Sequence, residues 1–382
     1  MHVGIDIEQF VRDTYGSGIQ RVLLYLAREW PGDGIGADFV VPIDDAFGLL
    51  TPAQAAEVLA IPFTPREPGS DLRFLVRDAL VALDPIRVGA DDLLDLYDSW
   101  LLPEVSYLPS VLERFEAFGH RVPTTMIGYD TLPMSEPANY RFKPGTAAFV
   151  SEYFRLLAAT DSVVCISDYA RDSILGRLRR DPGLATTVAH PGGDHLAARA
   201  SAAPTRPVFT RLGTLEARKR PVEILHAFER AVTEHRIEAD LLFVGGQNQS
   251  DEGINAAVRG AIAAGLPVRW VQGASDDEVY DLVNRSSAFL SIGTEGYGIP
   301  VLEAIRLGTP VLFDGIQPAG DLMVGRGARR VAALDPDDLV KVFCDYAAPG
   351  ALDVLRAEAD PEGVPPWAQF VRQVAVAATP HA

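Results

Sequence analysis

Two short stretches of this 382-residue chain concentrate side chains able to do chemistry. The first runs from Arg211 through Leu212, Gly213, Thr214, Leu215, Glu216 and Ala217 to Arg218, Lys219, Arg220 and Pro221, between a strand pattern and a helix pattern. Pro221 suits a first helical position, where its missing N–H costs nothing. That puts three adjacent cations at the positive end of a helix dipole, where acids are preferred. The arrangement makes sense if an anion completes it, held by backbone N–H groups and side chains together. A solvated loop with scattered charge is the plainer alternative. The second stretch, Glu295 to Glu303, carries two glutamates with Gly296, Tyr297, Gly298, Ile299 and Pro300 between them. Gly296 and Gly298 permit close backbone approach, and Pro300 again marks a helix start. Glu295 falls in the loop and Glu303 about one turn into the helix, so the two carboxylates face different parts of one bound molecule. Carboxylates accept hydrogen bonds from vicinal hydroxyls, which makes sugar and ribose natural ligands. Taken singly, each glutamate also reads as a cap or a surface residue.

The elements that must position these residues follow from periodicity. Short apolar, β-branched runs alternate with helical patterns, the signature of parallel α/β sheets. In the first half, strands are expected at 3–7, 39–42, 93–96, 124–127 and 162–166, with helices at 19–30, 105–118 and 147–159. Residues 44–90, rich in proline and charge, break the rhythm and read as a helical insertion with loops. After a small, polar, proline-bearing linker at 197–207 comes a more regular series. Its strands are expected at 208–212, 241–245, 268–271, 288–292 and 310–313, and its helices at 222–234, 254–264, 276–284 and 299–307. A last helix is expected over 367–377. This organisation predicts an N-terminal Rossmann-like domain over 1–200 and a second over 201–365. A C-terminal helix over 366–382 could cross back to the first domain. Doubly wound sheets bind ligands outside the carboxyl ends of their strands, and two such units imply a cleft at their junction.

Composition narrows the function classes. A hydrophobic fraction of 48% is globular. No run of about 18 apolar residues is present, which argues against a membrane-spanning helix. The start, Met1 to Asp6, has no basic region before its apolar run, unlike a secretory signal. Two separated cysteines, Cys165 and Cys344, exclude a disulfide scaffold and fit a reducing, cytoplasmic setting. With 34 basic against 52 acidic side chains the net charge is −18, which argues against nucleic acid as a partner. Any bound anion must therefore be held by a local basic cluster.

The Glu295–Glu303 block, with its internal Gly-x-Gly and Pro, resembles the E-x(7)-E motif of retaining glycosyltransferases with the GT-B fold, particularly glycosyltransferase family 4. The Gly213–Lys219 stretch is similar to the same family's G-T-L-E-P-R-K loop, with Ala217 in place of the usual proline. Weaker matches are Ile166, Ser167, Asp168, Tyr169 and Ala170; His190, Pro191, Gly192, Gly193 and Asp194; and the glycine loop Gly16, Ser17, Gly18, Ile19, Gln20 and Arg21. They fall in family order over nearly the whole chain.

The resemblance implies an α/β, GT-B fold of two Rossmann-like doubly wound domains facing across a cleft, acceptor side first and donor side second. It implies that Arg218 and Lys219 bind the diphosphate of a nucleoside-diphosphate sugar, that Glu295 meets donor sugar hydroxyls, and that Glu303 meets the ribose. Gly213 and the backbone amides of Tyr297, Gly298 and Ile299 would contact sugar and phosphates. Gly16 and Gly18 would close over phosphates or acceptor from the opposite domain, and Gln272 and Gly273 would approach the base. One departure stands out: Gly128, Tyr129, Asp130, Thr131, Leu132 and Pro133 fill the slot of an H-D-x-x-P motif. Asp130 stays in the catalytic set, whereas Tyr129 replaces a histidine and cannot titrate near neutrality.

The implied reaction moves a hexose to an acceptor hydroxyl with retention, the leaving phosphate acting as base. No D-x-D triplet stands at a plausible strand end, so no metal or other cofactor is called for. The acceptor, a glycan or a small natural product, is not legible, and monomer and homodimer are both open. A nucleotide-sugar binding protein without transfer, a phosphorylase and a pseudo-glycosyltransferase are the competing readings. His190, Asp194 and His195 suggest a metal only weakly, since their Pro-Gly-Gly setting reads as a turn. Arg177, Arg179 and Arg180 read as a solvated helix end.

Overall fold

The computed structural model describes residues 1–32, 34–64, 70–137, 147–178, 185–197, 204–249 and 251–379. Arg179, Arg180 and much of the expected 197–207 linker lie outside the described residues. The chain divides into two compact units. Unit 1 is Met1–Thr131, Phe142–Pro191 and Pro366–Ala382; unit 2 is Leu132–Arg141 and Gly192–Pro365.

Unit 1 is built on strands β1 (His2–Asp6), β2 (Gly36–Ile43), β3 (Ala46–Leu50), β4 (Ile86–Val88), β5 (Ser99–Leu102), β6 (Thr124–Gly128), β7 (Ser162–Cys165) and β8 (Ala185–Val188). They form one sheet in the order β4-β3-β2-β1-β5-β6-β7-β8. The central strands are parallel and buried on both faces, with Val3, Ile5, Trp100 and Leu101 at 0% exposure, which is why they read as continuous apolar runs.

Three sequence expectations need correction in this unit. The strand expected at 93–96 is instead the end of a short helix, Ala90–Leu93, and a turn. Asp91 and Asp92 favour a helix start, and exposed Asp95 and Leu96 could not enter a sheet buried on both faces. The strand lies six residues on, at β5, whose residues are all buried. The helix expected from 105 starts at Pro109, which occupies its first turn. The insertion at 44–90 does hold helices, Pro52–Ala60 and Leu72–Leu83, but it also adds two antiparallel strands to the sheet edge. Asp44, at φ 55°, reverses the chain so that Ile43 pairs with Ala46, a backbone state that aspartate tolerates better than most residues. The helix Trp367–Ala377 belongs to unit 1, where Trp367 stacks on Tyr25 with ring centroids 4.5 Å apart.

Unit 2 has an all-parallel sheet of β9 (Val208–Leu212), β10 (Asp240–Val244), β11 (Val268–Val271), β12 (Ala288–Thr294), β13 (Val311–Ile316) and β14 (Ala328–Arg330), ordered β11-β10-β9-β12-β13-β14. Its helices include Pro221–Thr233, Glu252–Ala263, Asp276–Asn284 and Ile299–Arg306, close to expectation. The order matters for the site. Although β9 and β12 are far apart in sequence, they are neighbours, with Phe209 opposite Ala288, so their carboxyl ends emerge side by side. Among the described residues no helix is long and apolar enough to cross a membrane.

Candidate functional site

The loop after β9 turns through a short 3-10 segment, Ala217–Lys219, before the helix Pro221–Thr233. This turn delivers Arg218 and Lys219 to the end of β12. Arg218 Nη1 donates to Glu295 Oε2 and to the Thr294 carbonyl, each at 2.7 Å, and Nη2 lies 2.6 Å from Glu216 Oε2. Lys219 Nζ lies 3.5 Å from Glu295 Oε1. Gly213 makes room for that ammonium. Its φ is +109°, and a Cβ there would stand 2.7 Å from Lys219 Nζ. Arg220 behaves differently from the expectation of three cations acting together. At φ 54° it precedes the helix and turns to Glu223 and the Leu334 carbonyl.

The structure adds a cation that sequence reasoning passed over. Arg211, 4% exposed in β9, brings Nη2 to 3.8 Å from Glu295 Oε1, while its Nη1 donates to the Leu212 carbonyl. Among the described residues its Nε and Nη2 make no hydrogen bond. A charged residue inside a buried strand, two positions before the glycine, was the available signal. Three cations, Arg211, Arg218 and Lys219, therefore surround two carboxylates, Glu216 and Glu295. The chain supplies part of the compensating charge itself and leaves the cluster positive by one. Burial alone would raise the Glu295 carboxyl, but Lys219, Arg218 and Arg211 outweigh it and hold it at about 2. Burial pulls Lys219 below its ordinary value against the attraction of Glu295. The side chains of Arg218, Lys219 and Glu295 keep 14%, 15% and 20% exposure, so the cluster opens to solvent at one side.

Directly after Glu295 the chain enters the helix Ile299–Arg306 through Gly298, at φ 107°, with no side-chain cap on its first N–H groups. Tyr297 is buried, which pushes its phenol well up. Glu303 is buried within the helix, and its Oε1 lies 3.1 Å from His195 Nε2, a pairing not foreseen from sequence. Gln272 and Gly273 are exposed in the loop after β11.

The remaining expected residues lie in unit 1. Gly16 (φ 74°) precedes the helix Gly18–Arg28, whose N-cap is Ser17, and Gly18 is exposed. Gln20 Oε1 accepts from the N–H of Tyr15 at 3.0 Å and of Gly16 at 2.8 Å, while Gln20 Nε2 donates to the Asp13 carbonyl and Glu104 Oε1. Glu104 is buried, and burial first, with Asp13 and Asp6 adding, pushes its carboxyl up to about 8 against the Gln20 hydrogen bond. Asp130 is half-buried just beyond β6. Tyr129 beside it is 7% exposed and donates its hydroxyl to the Pro103 carbonyl at 2.6 Å.

Residues 196–323, which lie within unit 2, match the family model described as glycosyl transferases group 1. Over 374 residues the chain is 25% identical to a serotype-specific mannosyltransferase, WbdA, of Escherichia coli, covering 90% of this chain and 42% of the relative. The chain thus spans less than half the length of the curated relatives it matches. Among solved structures it resembles WaaG, a glycosyltransferase involved in lipopolysaccharide biosynthesis, at TM-score 0.62 and 14% identity, over 99% of this chain and all of that one. It also resembles Anabaena Alr3699/HepE in complex with UDP and glucose, at TM-score 0.60 and 13% identity, over 99% of this chain and 95% of that one. The fold is GT-B, two Rossmann-like units, as the motifs implied.

Proposed function

We propose that this protein is a retaining glycosyltransferase that moves a hexose from a nucleoside-diphosphate sugar to an acceptor hydroxyl. The observation that carries this reading is the half-open Arg218–Lys219–Glu295 cluster, positive by one with Arg211 and Glu216 counted, beside an uncapped helix start. A diphosphate would supply the missing negative charge. Arg218 and Lys219 would bind it with the backbone amides around Tyr297, Gly298 and Ile299, Gly213 leaving room for the Lys219 ammonium. Glu295, held ionised, would accept from the sugar hydroxyls, and Glu303 from the ribose. The mannosyltransferase relative favours mannose among hexoses.

In the reaction the bond from C1 to the phosphate oxygen breaks while one from C1 to the acceptor oxygen forms on the same face. The acceptor proton passes to the departing phosphate, and Arg218 and Lys219 stabilise the charge that develops there. No metal is required for that role. Asp130, Gly16 and Gly18 belong to the acceptor-side unit in this reading, and Gln272 and Gly273 approach the base. A cytoplasmic location is part of the same proposal and rests on the two separated cysteines, which fit a reducing compartment.

Of the competing readings, a silent binding protein is the one that rests on Tyr129. Its hydroxyl donates to the Pro103 carbonyl, which supports a packing role for the phenol and favours transfer over silent binding. Thermal-shift measurements with UDP, GDP, ADP and TDP identify the base, because stabilisation grows as RT ln(1 + [L]/Kd). Donor turnover by Glu295→Ala and Lys219→Ala then tests the chemistry, and unchanged rates in both would remove it.

A further inference from the structure

The histidine-bearing turn at the start of unit 2 is fixed to the helix that carries Glu303 by contacts on both sides of His195. Gly193 approaches so closely that a Cβ there would lie 2.5 Å from Leu302 Cβ, and its N–H donates to the Pro365 carbonyl at 3.0 Å. One residue past His195, the Leu196 carbonyl accepts from Arg306 Nε at 2.8 Å, and Arg306 Nη1 also donates to the Pro361 carbonyl at 2.7 Å. Leu302, Glu303 and Arg306 are successive or one turn apart, so a single stretch of helix grips the turn above, below and at the imidazole. The ring itself is 3% exposed, meets the edge of Tyr280 with centroids 6.3 Å apart, and sets Nε2 at 3.1 Å from Glu303 Oε1.

A buried carboxylate is costly unless hydrogen-bonded, and one that must receive a diol has to hold its plane before the diol arrives. It offers about four acceptor positions, and a neighbour at one oxygen fixes the orientation of the rest. We infer that His195 is a positioning residue, donating through Nε2 to Glu303 Oε1 so that the carboxylate is preset for the ribose hydroxyls of the donor. This rests on the proposed ribose contact of Glu303 and adds a residue to it. It also gives the Pro-Gly-Gly turn a purpose: the close approach at Gly193 lets the backbone, rather than a mobile side chain, set the imidazole.

The test measures calorimetric affinity for UDP and GDP and for their 2′-deoxy and 3′-deoxy counterparts, in the full chain and in His195→Leu, His195→Gln and Glu303→Gln. Gln places an amide nitrogen near the position of Nε2, whereas Leu cannot donate. The wild type is expected to favour a ribonucleotide over a deoxy form by about tenfold, the value of a hydrogen bond to a charged group. His195→Leu and Glu303→Gln should erase most of that preference while deoxynucleotide affinity stays within about twofold, and His195→Gln should keep it within about threefold. Equal weakening of ribo and deoxy forms in His195→Leu would reduce the histidine to a structural role and overturn the inference. So would an unchanged preference. Should His195→Leu fail to fold, loss of the preference in a folded His195→Gln overturns it equally. Failure of the wild type to bind any of UDP, GDP, ADP and TDP would instead remove the donor reading itself. Binding without ribose preference would remove only the Glu303 contact and, with it, this proposal.

Discussion

Arg218 Nη1 stands 2.7 Å from Glu295 Oε2, joining two loops 77 residues apart in the chain. The contact exists because β9 and β12 are adjacent in the sheet, so the loops that follow them open at the same edge. It ties the basic turn to the start of the glutamate block and makes one charged cluster from two motifs.

Removing either cation of this cluster should weaken nucleoside diphosphate binding. Lys219→Ala and Arg218→Ala are expected to lower affinity by about tenfold or more and to reduce turnover by about 10²-fold, as for loss of one donor to a developing oxyanion. Arg218→Ala should also destabilise the fold, since it removes a direct hydrogen bond from a largely buried carboxylate. Calorimetry and donor-turnover rates separate the two effects from a thermal melt.

The Glu295 carboxyl, held at about 2, links stability to pH. Its folded value lies below that of the unfolded chain, so its stabilisation is fully present above about pH 5 and fades as pH falls toward 2. Glu295→Gln should flatten acid unfolding over that interval, measured by urea midpoints at a series of pH values. An unaltered slope would mean that the surrounding cations do not hold the carboxylate.

Glu104 works in the opposite sense. Its folded value of about 8 exceeds the unfolded one, so the native state keeps a proton that the unfolded chain releases. Stability attributable to this residue therefore declines from about pH 4.5 to pH 8 and levels off above. Glu104→Gln keeps an acceptor for Gln20 and cannot ionise. It is expected to be more stable than the wild type at pH 8 and nearly equal to it at pH 5, by thermal melts at both.

Gly213→Ala places a methyl carbon against the Lys219 ammonium and forces an alanine to φ near +109°. The backbone strain should cost about 1–3 kcal/mol, and displacement of the ammonium should lower diphosphate affinity as well. A melt that moves while affinity holds would show that Lys219 has room elsewhere.

Tyr129→Phe loses one buried hydrogen bond to Pro103, worth about 1 kcal/mol of stability. Donor affinity and turnover should stay within about twofold, because the hydroxyl faces the backbone. A tenfold loss of turnover at unchanged stability would return the phenol to the active site.

The repeated strand and helix pattern was legible because parallel strands buried on both faces must be largely apolar, as the runs Val3–Ile5 in β1 and Ala288–Leu290 in β12 are. The strand displaced from 93–96 to β5 was not, since Leu93–Leu96 and Ser99–Leu102 are similar in apolarity and only exposure tells them apart. The antiparallel strands β3 and β4 were likewise hidden, because three to five residues at a sheet edge leave little periodicity to detect.

From its residues alone the chain declared two charged loops, one after each of two strands, and the glycines and prolines that shape them, because propensity and spacing are local properties. Which charges meet was decided by strand order, which is not local. Sheet adjacency set Arg218 and Lys219 against Glu295 and drew Arg211 in from the buried face, while Arg220 turned to its neighbour Glu223 through its own left-handed backbone. Close packing of the Gly193 turn on one helix put His195 on Glu303. Charge compensation depends on distance in space, and that distance came into being only when the two loops shared one edge of the sheet.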